Sequence, residues 1–199
     1  MPVLARGERF IYAQSQKEIV AFLGLAESAG PALSPLQLRD RLDKFMSASI
    51  ELLPLMPADR LATHVPGRPR SYRELGHHMF KVVDAFLDAD GGATLVREVF
   101  ADSPPEDTST AQLVAHADAV RARFRGWWET GADRSGAKTL STYYGAQSLH
   151  ELLERTTWHH GQHARQWMML LEREGVAHHR PLVDSDFTDL PMPTNVWDG

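Results

Sequence analysis

Residues 148–175 read SLHELLERTTWHHGQHARQWMMLLEREG, and this stretch decides the fold. Leu149, Leu152, Leu153, Thr156, Trp167, Leu170 and Leu171 recur at three- and four-residue intervals, so they line one face of a helix about seven turns long. Ser148 followed by Glu151 is a capping box: the Ser oxygen accepts from an orphan N–H of the first turn while the Glu side chain returns a bond to the Ser N–H. Gly175, free to take a left-handed conformation, marks the other end.

The same signature heads three more apolar-periodic runs, at Ser34/Gln37, Ser71/Glu74 and Ser109/Gln112. The first run starts with Pro35 and carries Leu38, Leu42, Phe45, Met46, Ser49 and Leu53 before Pro54. The second runs from Tyr72 to about Ala89 with Leu75, His78, Val82 and Phe86 in one stripe, followed by Gly91-Gly92. The third carries Leu113, Ala117, Val120, Phe124 and Trp127 or Trp128, and ends near Gly131. No Val/Ile/Thr-rich alternation separates the four, which predicts an all-α four-helix bundle. A short apolar piece spans residues 94–100, and a polar loop holds Tyr143 and Tyr144. Pro2–Leu4 and Arg9–Tyr12 are expected as short strands around Gly7-Glu8, and Gln16–Leu23 as a helix. The expected organisation is an N-terminal extension over 1–30, the bundle over 31–176, and an extended tail over 177–199 packed on it.

Composition narrows the chemistry. The chain of 199 residues has 21 Lys+Arg against 26 Asp+Glu, ten His and no Cys. Disulfides, thiolate metal sites and a cysteine nucleophile are thereby excluded. A net charge of −5 without a basic run offers no footprint for nucleic acid or an anionic membrane. With no signal-like apolar segment and no run of about 18 apolar residues, a cytoplasmic, membrane-free protein is expected.

Five of the ten His fall in two helices: His77, His78, His159, His160 and His163. His78 lies in the stripe between Leu75 and Val82, and His77 about 100° away from it. On the last helix His159 and His163 are spaced i, i+4 and stack on one face, while His160 and His163 lie within the apolar stripe. Spacing therefore permits either pair, with His163 common to both. A third imidazole from a neighbouring helix completes a facial set of neutral ligands with open positions, as catalytic metal sites require. A single His at a helix interface is ordinarily a hydrogen-bonded core residue, but several convergent imidazoles in an apolar core would be stranded without an ion.

The run Ser71-Tyr72-Arg73-Glu74-Leu75-Gly76-His77-His78 resembles the helix start of DinB-like (DinB/YfiT) proteins, in which a capped Arg-Glu-Leu leads to the first metal-binding His. His159-xxx-His163-xx-Gln166, followed by an apolar run to Gly175, is similar to their final-helix motif; here Arg165 replaces a Gly before Gln166, and His160 is additional. The resemblance covers residues 34–175 and implies a four-helix bundle with a metal held by His78, His159 and His163, leaving His160 as a supporting or substitute ligand. It also implies zinc or nickel and, in many members, a homodimer. Such folds house thiol S-transferases that use bacillithiol, mycothiol or glutathione, so a small-molecule thiol and an electrophile are the expected substrates, with the sulfur supplied by the cosubstrate. A hydrolase or isomerase using activated water, or a non-catalytic metal- or ligand-binding stress protein, are the alternatives. For acid–base chemistry Tyr143 and Tyr144 are within reach by their loop, whereas Glu151 and Glu154 lie at the margin or back of the last helix. Arg121, Arg123 and Arg125 are expected as an exposed helix face. Residues 1–25 also resemble the end of a glutaredoxin domain, a Pro-Val strand, hairpin and terminal helix without the redox part.

Overall fold

The computed structural model describes residues 3–12, 16–25 and 30–197. In chain order they form a hairpin of β1 (Val3–Arg6) and β2 (Arg9–Tyr12), then α1 (Gln16–Leu23) and α2 (Pro35–Leu52). There follow α3 (Tyr72–Asp90), α4 (Thr110–Thr130), a second hairpin of β3 (Thr139–Thr142) and β4 (Gly145–Ser148), and α5 (Leu149–Arg173). The N-terminal hairpin and α1 match the expectation from the sequence; Pro2 lies outside the described residues.

All four capping boxes form, each with both reciprocal hydrogen bonds, and each starts one helix of the bundle. Around the bundle the order is α2, α5, α3, α4, every helix packing on two neighbours. The stripes read from the sequence meet in one core, in which Leu38, Leu42, Phe45, Met46, Phe80, Phe86, Phe124 and Trp167 are fully buried. Burying one such large apolar side chain contributes roughly 1.5 to 3 kcal/mol. Where α2 ends ahead of Pro54, the carbonyl of Leu52 accepts from Trp167 Nε1 at 3.2 Å, so a side chain of α5 ties down the end of α2.

At Gly161 α5 packs tightly on α2: an added Cβ would lie 2.7 Å from Phe45 Cε2. Phe45 is itself stacked on Phe187 of the tail, ring centroids 5.1 Å apart. Gly161→Ala is therefore expected to lose roughly 1 to 3 kcal/mol in urea unfolding through overpacking, although Ala is the better helix former. A variant more stable than wild type would mean that Phe45 moves freely.

Two expectations need correction. The loop with Tyr143 and Tyr144 is the turn of a β-hairpin: β3 pairs antiparallel with β4, and Leu95 joins the sheet through Leu95 N–H to Ser141 O at 2.9 Å and Tyr143 N–H to Leu95 O at 2.8 Å. Four-residue strands with only Leu140 and Thr142 turned inward carry too little alternation to be seen in sequence. The Arg face of α4 is also more than a solvated surface. Arg121 and Arg125 both grip Asp43 of α2, and Arg123 bonds Asp84 and Asp88 of α3. Burial works against the Asp43 charge, but its bonds to Arg125 and Arg121 outweigh that and hold its pKa down at about 2.

Candidate metal centre

His78 comes from the second turn of α3, whose start is fixed by Ser71 and Glu74; His159 and His163 come from successive turns of α5. The three imidazoles meet between α3 and α5. A ligand nitrogen of each lies within 4.8 Å of the others, and the His159 and His163 Nε2 atoms are 3.0 Å apart. His78 is perpendicular to both partners, with ring centroids 5.6 Å from His159 and 5.1 Å from His163. Ligand nitrogens about 2 Å from a tetrahedral ion stand roughly 3.3 Å apart, so small rotations bring this set to bonding distance.

The environment keeps the three imidazoles neutral. Burial lowers the pKa of all three, and neighbouring imidazoles and Arg70 lower it further for His78 and His159; His163 is brought to about 4, with Gln166 partly offsetting the burial. Lone pairs are thus available at neutral pH without deprotonation. The tautomer of His163 is fixed by geometry: Nδ1–H donates to Gln166 Oε1 at 2.7 Å, leaving the Nε2 lone pair facing His159. Gln166 is in turn oriented by its Nε2–H donating to Val196 O at 3.0 Å, and Gln162 donates to Asn195 O and Val196 O. The tail therefore holds the group that holds the ligand. Gln166→Ala is expected to weaken metal affinity about 10- to 100-fold without unfolding the bundle, measured by competition with a chromophoric chelator; unchanged affinity would show that His163 needs no such support.

His160 is placed elsewhere. It is fully buried, its Nδ1–H donating to Met79 O at 2.9 Å and its Nε2 accepting from Ser49 Oγ at 3.2 Å. With both nitrogens engaged across α2 and α3, it ties the bundle together and takes no part in the cluster. His77 stacks on His116 of α4 at 4.7 Å, a pairing between helices that spacing along the chain does not reveal. Glu151 is spent on the α5 cap, and Glu154 is buried with a bond from the Ala32 backbone N–H. Neither carboxylate borders the cluster.

The triad borders a cleft of about 490 Å³ reached by His78 and His159, with Phe100 edge-on to His78. Tyr143 and Tyr144 line it from the hairpin turn, Arg70 from the residue before the α3 cap, and Arg97 and Glu98 from the 3-10 segment Arg97–Ala101. Arg155, one turn before His159, lies 4.8 Å over the Tyr144 ring. The arginines escaped the sequence reading because three elements supply them, yet one signal was present: Arg155, His159 and His163 share a face at i, i+4 and i+8.

A four-helix bundle with three imidazoles gathered at its α3–α5 seam defines a class of metal-binding architecture. Among solved structures, the chain has the fold of a DinB-like protein from Bacillus cereus ATCC 10987, with a TM-score of 0.55 and 14% identity over 68% of this chain and 91% of that one. The likeness lies in the fold. No family model and no curated protein sequence matches the chain. Among the described residues no helix is long and apolar enough to cross a membrane.

Proposed function

We propose that the protein holds one divalent ion, zinc or nickel, at His78, His159 and His163, and that it catalyses attack of a low-molecular-weight thiol on an electrophile. The observation that carries the metal reading is the convergence of three neutral imidazoles, His78 and His163 buried and His159 partly so, in a cluster that includes no carboxylate among the described residues. When bound, such an ion acts as a Lewis acid that lowers the pKa of a thiol toward that of a thiolate.

The chain's own residues supply the rest. His78 and His159 open onto the cleft, whose wall also includes Phe100 and Tyr143, so a ligand in it would lie against both imidazoles. Gln166 keeps His163 in one tautomer. Burial holds the Tyr144 phenol protonated, with its pKa up at about 12, so it serves as a hydrogen-bond donor in the cleft. With no Cys in the chain, a reacting sulfur must arrive with the cosubstrate.

Bacillithiol, mycothiol and glutathione should be tested against a panel of electrophiles with apo, zinc-loaded and nickel-loaded protein. Thiol consumption is expected only with metal and is lost in His163→Ala. Metal binding without turnover for any of the three thiols would contradict the transferase reading and leave a metal-binding bundle.

A further inference from the structure

Residues 193–196 lie along α5 beside the triad, and three residues of one helical turn receive them. Arg165 Nη1–H donates to Pro193 O at 3.1 Å, Gln162 Nε2–H to Asn195 O at 3.1 Å and Val196 O at 2.5 Å, and Gln166 Nε2–H to Val196 O at 3.0 Å. Trp197, partly buried against the core, anchors the end of the stretch. Arg165 is the position at which the α5 run departs from the motif it resembles, Arg standing in place of Gly. Its guanidinium reaches Pro193 O, Gln162 Oε1 at 3.1 Å and the Phe187 ring at 5.7 Å, none of which a Gly reaches. All three belong to the tail or to a residue that holds it, so the departure docks the tail.

Docking matters to His163 because of the shape of an amide. The two ends of a glutamine amide are nearly the same size and its last torsion is roughly two-fold, so hydrogen-bond partners choose which end faces which neighbour. His163 Nδ1, 2.7 Å from Gln166 Oε1, does not choose, since the nitrogens of a neutral imidazole can each donate or accept. Val196 O only accepts. It requires the NH2 end, turns Oε1 toward His163, and so places the imidazole proton on Nδ1. A reversed amide would donate to Nδ1 and leave the proton on Nε2, the atom 3.0 Å from His159 Nε2 in the cluster.

We propose that residues 193–197 are a clasp that sets the metal-binding tautomer of His163. Docked on Gln162, Arg165 and Gln166, it keeps the Nε2 lone pair free for the ion; undocked, it releases the Gln166 amide and weakens the site. The assignment rests on the metal reading and is independent of thiol transfer.

A chain ending at Met192 and the full-length variant Arg165→Ala, each alone and combined with Gln166→Met, test this. Zinc affinity is read by competition with a chromophoric chelator, and the His163 tautomer by nitrogen-15 NMR of metal-free protein. Loss of residues 193–199 is expected to weaken zinc about tenfold and to turn a single Nδ1–H tautomer into a mixture. Arg165→Ala, which keeps the tail and decides the matter if the shortened chain does not fold, should cost about threefold with the same mixing. Neither change should weaken zinc further in the Gln166→Met background, where the amide through which the clasp acts is gone. Equal losses with and without Gln166, a tautomer unmoved by both changes, or an Nε2–H tautomer in the full chain overturns the proposal, even if zinc binds the triad. A tautomer that follows the tail in a protein that takes up no zinc would uphold the clasp and contradict the metal reading instead.

Discussion

His163→Ala is expected to fold and to lose at least about 100-fold in affinity for zinc or nickel. His163 supplies the donor nearest to another ligand, 3.0 Å from His159 Nε2, and is the ligand whose tautomer is set by Gln166. Removing it leaves His78 and His159, from different helices and with ring centroids 5.6 Å apart, as a two-point site. Calorimetric titration with each metal at pH 7 checks the loss, and the midpoint of thermal unfolding, raised by metal in wild type, should no longer respond. Proton competition gives a second readout. Because burial brings the His163 pKa down to about 4, protons displace the ion from the folded site only well below the ordinary histidine range. Retention of metal at pH 5.5 is therefore expected in wild type, and release centred near pH 6.5 would contradict the burial of the site.

His160→Ala is expected to do the converse: metal binding is kept while the fold loses roughly 3 to 5 kcal/mol. Truncation leaves a cavity in the core, removes the His160 partner of the buried Ser49 hydroxyl, and takes one bond from the Met79 carbonyl, which keeps its place in the α3 ladder. Burial lowers its pKa to about 4, with the Met79 and Phe45 carbonyls opposing the shift. In the unfolded chain this imidazole titrates near 6.5, so the unfolded state binds more protons between the two values and stability rises with pH. The contribution is complete above about pH 6.5 and is lost as pH falls toward 4, amounting to about 3 kcal/mol if fully expressed. Urea unfolding of metal-free protein across that window should show wild type weakening toward acid, and the His160→Ala variant weakening less. Equal pH dependence in both would mean that His160 does not carry the effect.

The two variants separate what the chain's pattern left joined. Spacing placed His160 squarely within the apolar stripe of α5 and His159 at its edge, and the stripe is where the core lies. The residue deepest in the core is for that reason satisfied by core groups, whereas the residue at the edge reaches the seam with α3 and faces the cleft. Resemblance of the His159-xxx-His163-xx-Gln166 motif favoured His159, and the geometry brings that residue to His78. The helix starts were legible because a capping box is a local device, complete within four residues. Hidden from the sequence were relations between distant segments: Leu95 joining the hairpin at Ser141 and Tyr143, His77 stacking on His116, and Val196 holding Gln166. Each depends on packing that brings together residues 30 or more apart, and none has a local periodicity to mark it.

Whether one ion sits on His78, His159 and His163 is read from the metal content of protein purified without an affinity tag, by elemental analysis of wild type and of His78→Ala, His159→Ala, His160→Ala and His163→Ala. Close to one equivalent of zinc or nickel is expected in wild type and in folded His160→Ala, and little in the other three. Metal retained without His159 and lost without His160, or content indifferent to all four substitutions, would show that the ion is not held by this triad.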